Sequence, residues 1–309
     1  MVAHEPATQS SLFDSPREQP AAFQTAFRTG RVEVSSKPTP EILMRATGFM
    51  GEYDFTLNPY SGCAFGCTYC YAAFFSRTAE RRDTWGNWVE VKENAVDLLM
   101  RRKVGSLDGK RIYMSSVTDP YQPVERTVGL TRGVLQVLAD RHAPKLVVQT
   151  RSPDVTRDID LFQQIKDGGG RVRVNMTVTT DDEDVRRTFE PFCPSNAQRL
   201  DAVAELRGAG IDVGVTMTPL LLVRDAEAFA ESLLATQAEH FIAQPFHFTR
   251  GKFVASTREG ALALMAEKLG CEVATFQSTY LEHYRGVFEV LRDALPELGE
   301  GKDGFAPPF

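Results

Sequence analysis

Short β-branched runs alternate with amphipathic stretches along most of this chain, and that alternation restricts the fold more than any other feature. The runs are "DFTL" (54–57), "WVEV" (88–91), "RIYMSSV" (111–117), "KLVVQT" (145–150), "VRVNMTVTT" (172–180), "IDVGVTMTPLL" (211–221) and "HFIAQPF" (240–246). Segments of helical period follow them, among them "ENAVDLLMRRKV", "TRGVLQVLADR", "DIDLFQQIKDGGG", "SNAQRLDAVAELRGAG" and "DAEAFAESLLATQ". Strands separated by helices of this length cannot be hairpins; they need crossover connections and so run parallel. About six such units fit between residues 54 and 270. Six units are too few for a closed eight-stranded barrel. The expected class is α/β, a partial (β/α)6 TIM-type barrel with an N-terminal extension and C-terminal helices. A doubly wound open sheet competes on periodicity alone.

Residues 1–35 are polar and aperiodic and read as a disordered tail, with Phe23 and Phe27 as residues that could dock on the domain. Residues 36–295 read as one domain, since no linker divides them. Residues 296–309 read as a C-terminal tail, with "GKDGFAPPF" a loose end rather than an aromatic plug of Phe305 and Phe309 over the barrel mouth. No apolar run reaches the roughly 18 residues that cross a bilayer, and the start has no charged-then-apolar signal pattern, so the expectation is a cytoplasmic protein without membrane contact. The net charge of −6 argues against a broad phosphate-binding face.

In parallel α/β folds, chemistry collects at the C-terminal ends of the strands. Here those ends carry the unusual residues. After the first strand comes "NPYSGCAFGCTYCYAAFF", which places Cys63, Cys67 and Cys70, three of the five cysteines, within eight residues. Packed free thiols explain such a Gly-containing loop poorly. Structural zinc needs a fourth ligand close by, whereas Cys193, Cys271 and the five histidines are scattered. The third reading is a [4Fe–4S] cluster on three thiolates with one iron left open, the turns at Gly62 and Gly66 letting the backbone approach it.

C-x3-C-x2-C with an aromatic before its last cysteine, on the loop after the first strand of a partial barrel, resembles the radical S-adenosylmethionine (SAM) superfamily. Within it, "GCAFGCTYCY", "SSVTD" (115–119), "QTRSP" (149–153), "FEPFCPSNAQRLDA" (189–202) and "VGVTMTPL" (213–220) resemble the spore photoproduct lyase group, over roughly residues 50–250. The resemblance implies that Cys63, Cys67 and Cys70 hold the cluster and that its open iron chelates SAM. Reduction by a one-electron donor such as flavodoxin or ferredoxin then yields a 5′-deoxyadenosyl radical that abstracts hydrogen from a substrate. It further implies a radical relay at Tyr69 and Tyr71, with one tyrosine against SAM.

Ser115, Ser116 and Asp119 fall in the segment that holds the SAM amino group in the superfamily; a turn cap before Pro120 is the plainer role for Asp119. Arg151 could pair with the SAM carboxylate, or form an ordinary salt bridge. Asn175, Thr177 and Thr179 alternate along one strand face, as do Thr216 and Thr218, and are candidates for ribose and adenine contacts. Ser116 stands where the lyase has its hydrogen-donating cysteine, and an O–H bond is too strong for that task. Cys193 and Cys271 read as buried thiols, and His247 as a substrate contact or a structural histidine. Trp85 and Trp88 with Arg77, Arg81 and Arg82 have a composition suited to nucleic acid, but an amphipathic surface segment fits them better. Three functions remain open: a radical SAM enzyme on a small substrate or peptide, one that repairs or modifies a nucleic-acid base, and a non-catalytic Fe–S scaffold or sensor.

Overall fold

Six of the seven β-branched runs pair side by side as parallel strands. The computed structural model describes residues 26–248 and 258–309. In chain order its strands are β1 (Ala26–Thr29), β2 (Val32–Lys37), β3 (Leu43–Arg45), β4 (Phe55–Leu57), β5 (Tyr60–Gly62), β6 (Trp88–Lys92), β7 (Arg111–Met114), β8 (Lys145–Thr150), β9 (Arg171–Thr177), β10 (Asp212–Met217), β11 (His240–Ala243) and β12 (Leu298–Glu300). The larger sheet has the order β12-β11-β10-β9-β8-β7-β4-β3. From β4 to β11 neighbouring strands are parallel; β3 is antiparallel to β4, and β12 adds in parallel to β11. Among the described residues β3 and β12 do not pair with each other, so the barrel is partial, with six parallel strands at its centre.

Helices cover the outer face, as the period demands. Leu130–Arg141 buries Val134, Leu135, Val137 and Leu138; Ile159–Asp167 buries Leu161, Phe162 and Ile165. They meet Leu146, Val148, Val174, Met176, Val213 and Val215, which are fully buried in one apolar core. Ser195 is the N-cap of Asn196–Gly208, in a reciprocal capping box with Gln198. The inward face is polar. Gln149 accepts from the Tyr113 hydroxyl at 2.7 Å and donates to Thr177 at 2.8 Å and Thr216 at 2.9 Å.

The structure departs from the sequence reading in three places. "WVEV" is not a barrel strand: β6 pairs with β2 and β5 in a separate four-stranded sheet, order β1-β2-β6-β5. Its run is β-branched like the others, but the helix after it is only Ala95–Met100, and its partners are β2 from the N-terminal segment and β5 from the start of the cysteine loop. Residues 26–35, expected in the disordered tail, form the antiparallel β1–β2 hairpin, with Val32 and Val34 buried on alternate positions. Phe23 lies outside the described residues, as does the side chain of Phe27.

The third departure is the C-terminal tail, expected to be loose. Its β12 extends the sheet. Phe305 packs edge-on against Phe49 and Tyr113, with ring centroids 5.5 and 6.5 Å away, and the Arg173 guanidinium lies 5.9 Å from the Phe309 ring centre. Together with Ala46, Tyr53 and Val147 they form a second, smaller apolar cluster. Tyr113, Val147 and Arg173 are in register on β7, β8 and β9 near the N-terminal ends of the strands. The tail therefore closes the end opposite the cysteine loop. An open barrel leaves inward apolar groups there that need covering, a demand that local composition does not reveal.

Candidate functional site

The cysteine loop leaves β4 through Asn58 and the short β5, then turns at Gly62. Gly62 has φ +78°, and a Cβ there would lie 2.6 Å from the Trp88 carbonyl oxygen, so no side chain fits. Gly66, at φ +58°, passes close against the backbone of Gly86. Trp85 and Trp88 thus pack beneath the loop, 5.8 Å apart edge to face, rather than forming a base-stacking surface. The Trp88 indole donates to the Arg81 carbonyl at 2.7 Å.

Three neighbouring segments hold the loop. From the β7 side, Gln122 accepts from the Ala64 amide at 2.8 Å and Thr118 donates to the Gly62 carbonyl at 2.6 Å. From the segment after β9, the Phe189 carbonyl accepts from the Thr68 amide at 2.9 Å. From the N-terminal hairpin, Arg31 reaches the carbonyls of Ala64 and Gly86, its guanidinium 3.3 Å from the Phe192 ring centre. Cys63 and Cys67 are buried and Cys70 is half-buried. Burial pushes the Cys63 thiol up and the Cys70 thiol to about 11. Cys67 goes the other way: a hydrogen bond with Cys193 lowers it against burial, and the nearby Arg151 charge adds to the lowering.

Behind the cysteines lies a buried ionic network. Glu190 is fully buried. It accepts from Arg151 Nη1 at 2.9 Å, from Thr179 Oγ1 at 2.9 Å, and from Arg199 and the Tyr69 hydroxyl. Burial would push its carboxyl up; the Arg199 and Arg151 guanidinium groups and the Tyr69 hydroxyl outweigh that and hold it at about 2. Arg151 Nη1 also lies 3.1 Å from Cys67 Sγ and 2.8 Å from the Tyr69 oxygen. The Arg151 amide donates to Asp119 at 2.9 Å, as do the Tyr121 amide at 2.9 Å and Thr150 Oγ1 at 2.8 Å.

Asp119 therefore both caps the turn and ties β7 to β8, and burial raises its carboxyl in spite of those donors. Ser115 sits at the end of β7 with φ +70°, a strained value for a residue with a Cβ. Its hydroxyl is buried with no hydrogen-bond partner among the described residues, as is Oδ1 of Asn175. Tyr71 is partly exposed and donates to the Ser116 carbonyl. Thr177 and Thr216 face each other at 3.1 Å and share Gln149. Thr218 follows β10 and is half-buried; His247, beyond β11, is half-buried, and burial lowers its imidazole.

The candidates Tyr69, Ser115, Ser116, Asp119 and Arg151 thus stand around the cysteine loop, whereas Asn175, Thr177 and Thr216 line the inner sheet face beside it. One participant was not singled out from the sequence, and another was read in a lesser role. Glu190 lies in a quoted segment, but a lone Glu-Pro pair carries no periodic signal. Cys193, read as a buried thiol, is buried and has its sulfur 3.6 Å from that of Cys67. Cys271 follows the helix Glu259–Leu269 and packs at the edge of the core.

The donor set suits a cluster better than one zinc ion. Sulfurs about 2.3 Å from a single tetrahedral zinc stand roughly 3.8 Å apart. Among the described residues, the only His, Cys, Asp or Glu trio with ligand atoms all within 4.8 Å of one another is Asp212, Glu239 and His240. That trio is held in ion pairs: Arg173 binds Asp212 at 2.9 Å, Arg207 binds Glu239, and His240 binds Glu297 at 2.6 Å. Cys63, Cys67 and Cys70 form no such trio, so as they stand they are not gathered on a single ion.

The model of the Radical SAM superfamily matches residues 57–234, which run from the end of β4 through the cysteine loop to the helix after β10. The chain belongs to the radical SAM superfamily. Membership implies a [4Fe–4S] cluster and SAM as cofactors.

This radical SAM protein is 36% identical over 167 residues to an uncharacterized protein of Methanocaldococcus jannaschii, a match covering 54% of this chain and 60% of the other. An uncharacterized protein of Mycobacterium tuberculosis is 29% identical over 180 residues, covering 55% and 50%. The chain thus spans between half and three fifths of the length of the curated relatives it matches. Among solved structures, a spore photoproduct lyase with one Cys-to-Ser substitution superposes with a TM-score of 0.53 at 14% identity, covering 87% of this chain and 81% of that one. A second spore photoproduct lyase mutant, with bound AdoMet and dinucleoside spore photoproduct, gives the same values. At that identity the likeness is one of fold. Among the described residues no helix is long and apolar enough to cross a membrane.

Proposed function

We propose that this radical SAM protein is an enzyme that reductively cleaves SAM and uses the 5′-deoxyadenosyl radical to abstract hydrogen from a substrate outside the thymine-lesion class. The observation that carries the proposal is the cysteine loop itself: three thiols at C-x3-C-x2-C spacing on one loop, at the C-terminal end of a parallel partial barrel. Cys63, Cys67 and Cys70 would hold the cluster, which supplies one electron to the sulfonium and leaves one iron free to chelate SAM.

The protein's own residues bind, orient and exclude water. Ser115, with an unpartnered buried hydroxyl, is the group best disposed to accept from the SAM ammonium. Asp119 holds the turn that presents it. Arg151 is already engaged by Glu190, Cys67 and Tyr69 through Nη1; its Nε and Nη2 donors have no side-chain acceptor among the described residues and can meet a carboxylate edge-on, and its fixed position suits orientation. Asn175 Oδ1 offers an acceptor to a ribose hydroxyl. Tyr71, on the exposed side of the loop, is the tyrosine open to a radical relay; Tyr69 is locked in the Glu190 network. A small reductant of the flavodoxin or ferredoxin type would supply the electron.

Ser116 weighs against reversal of a thymine lesion, since its hydroxyl cannot return a hydrogen atom as a thiol does. Packing of Trp85 and Trp88 edge to face beneath the loop supports the reading of that segment as structural rather than a nucleic-acid grip. The test is anaerobic reconstitution, reduction with dithionite and chromatography for 5′-deoxyadenosine. Product is expected from the wild type and none from C63A, C67A or C70A. An iron-loaded wild type that leaves SAM intact would return the chain to a scaffold or sensor.

A further inference from the structure

We propose that the Cys193 thiol donates a hydrogen bond to the Cys67 sulfur and so raises the reduction potential of the cluster that Cys67 helps to hold. The inference rests on the reading of Cys63, Cys67 and Cys70 as cluster ligands, and adds a fourth cysteine in a different role.

Cys193 is fixed where it stands. Its amide donates to the Glu190 carbonyl at 3.1 Å, and its carbonyl accepts from Arg186 Nη1 at 2.9 Å. Its side chain is buried, and its sulfur lies 3.6 Å from Cys67 Sγ. The other acceptor in reach, the Phe65 carbonyl, is 4.0 Å away. Among the described residues the Cys67 sulfur is the nearer of the two acceptors open to the S–H.

Cys193 cannot serve as a fourth ligand from this position. Each iron of a cubane binds three sulfides and one outer ligand. A thiol beside the Cys67 sulfur would have to share the iron that Cys67 already completes. What it can do is donate. Hydrogen bonds to ligand sulfurs withdraw electron density and favour the reduced, more negative cluster, one of the means by which proteins set such potentials. Arg151 Nη1, 3.1 Å from the same sulfur, acts in the same sense. One ligand of the three thus carries two donors from outside the loop. Cys193 is a positioning residue that works through Cys67, recruited by the fold across 126 positions of sequence.

The test is potentiometric titration, monitored by electron paramagnetic resonance, of the full chain reconstituted with iron and sulfide. Wild type, Cys193→Ser, Cys193→Ala and Cys193→Val are compared at equal iron and sulfide content. Alanine and valine, which cannot donate, are expected at lower midpoint potential than wild type; serine, which can, is expected to retain it. Four equal potentials would overturn the proposal. If alanine and valine fail to load while serine loads, the donor contributes to holding the cluster, which supports it. Failure of serine as well would assign Cys193 to packing and overturn it. Iron and sulfide content with the wild-type resonance signal report on the cluster separately, so loss of the cluster reading and loss of the donor role are distinguishable.

Discussion

Glu190 shows how much of the site depends on one side chain that never meets solvent. Its carboxylate stands between Arg151 and Arg199 and also accepts from Tyr69 and Thr179, so both oxygens are hydrogen-bonded. Breaking a buried ion pair on one side strands the remaining charges, at a cost of roughly 3–5 kcal/mol. Glu190→Gln keeps the shape but leaves two guanidinium groups uncompensated, and is expected to lower the unfolding free energy by about that amount in urea titrations. A loss below about 1 kcal/mol would mean that solvent reaches the network. Gly214 is a second such position. A Cβ there would lie 2.7 Å from Asn175 Oδ1, so Gly214→Ala is expected to cost about 1–3 kcal/mol by overpacking. Displacing the Asn175 amide should weaken SAM retention in equilibrium dialysis as well.

At the level of elements, the C-terminal tail behaves as part of the barrel. Phe305 bridges Phe49 and Tyr113, though it is only partly buried. Fully buried Phe→Ala changes cost about 3–5 kcal/mol, so Phe305→Ala is expected to cost less, on the order of 1–2 kcal/mol. The loss should appear as a lower thermal midpoint at unchanged iron content, because the plug lies at the end opposite the cysteines. This element also marks the limit of what the sequence conveys. The parallel strands were legible because period-2 β-branched runs and period-3.6 helices are local signals. The cysteine loop was legible because its spacing is dense and its residue type rare. The β1–β2 hairpin, the partners of "WVEV", the plug and the Cys193 approach were not, since each is a pairing between distant segments that local composition does not encode. Arg31 illustrates the point: it falls in a stretch read as tail, yet it grips the carbonyl of Ala64 between two cysteines.

For the whole molecule, the distribution of carboxylates fixes the direction of pH dependence. Hydrogen bonds from the Arg111 amide and side chain lower Asp54 despite partial burial. Burial opposes the lowering of Asp182, but the Val185 and Asp184 amides and Arg224 outweigh it. Glu183 is lowered, again against burial, by the Asn196 amide and by Arg186. The Arg132 hydrogen bond lowers Asp160, and Glu190 sits at about 2. A carboxyl whose folded value lies below its unfolded value, about 4, contributes stability that is fully present above pH 4 and disappears as pH falls through the folded value. Asp119, raised by burial, works in the opposite sense, but it is one group against five. Burial lowers the imidazoles of His142, His247 and His283, so the unfolded chain takes up protons more readily there and the unfolding free energy is expected to decline gently from pH 7 to 5 and steeply below pH 4. Denaturant midpoints taken at pH 7, 5, 4 and 3 measure this directly. Asp182 and Glu183 flank the start of the helix Glu183–Phe189, which leads into Glu190 and Cys193. Acid should therefore loosen the segment behind the cysteine loop early, and tryptophan emission from Trp85 and Trp88 beneath the loop should shift together with the loss of stability. A midpoint that stays level down to pH 3 would mean that these carboxylates keep their unfolded values in the folded chain.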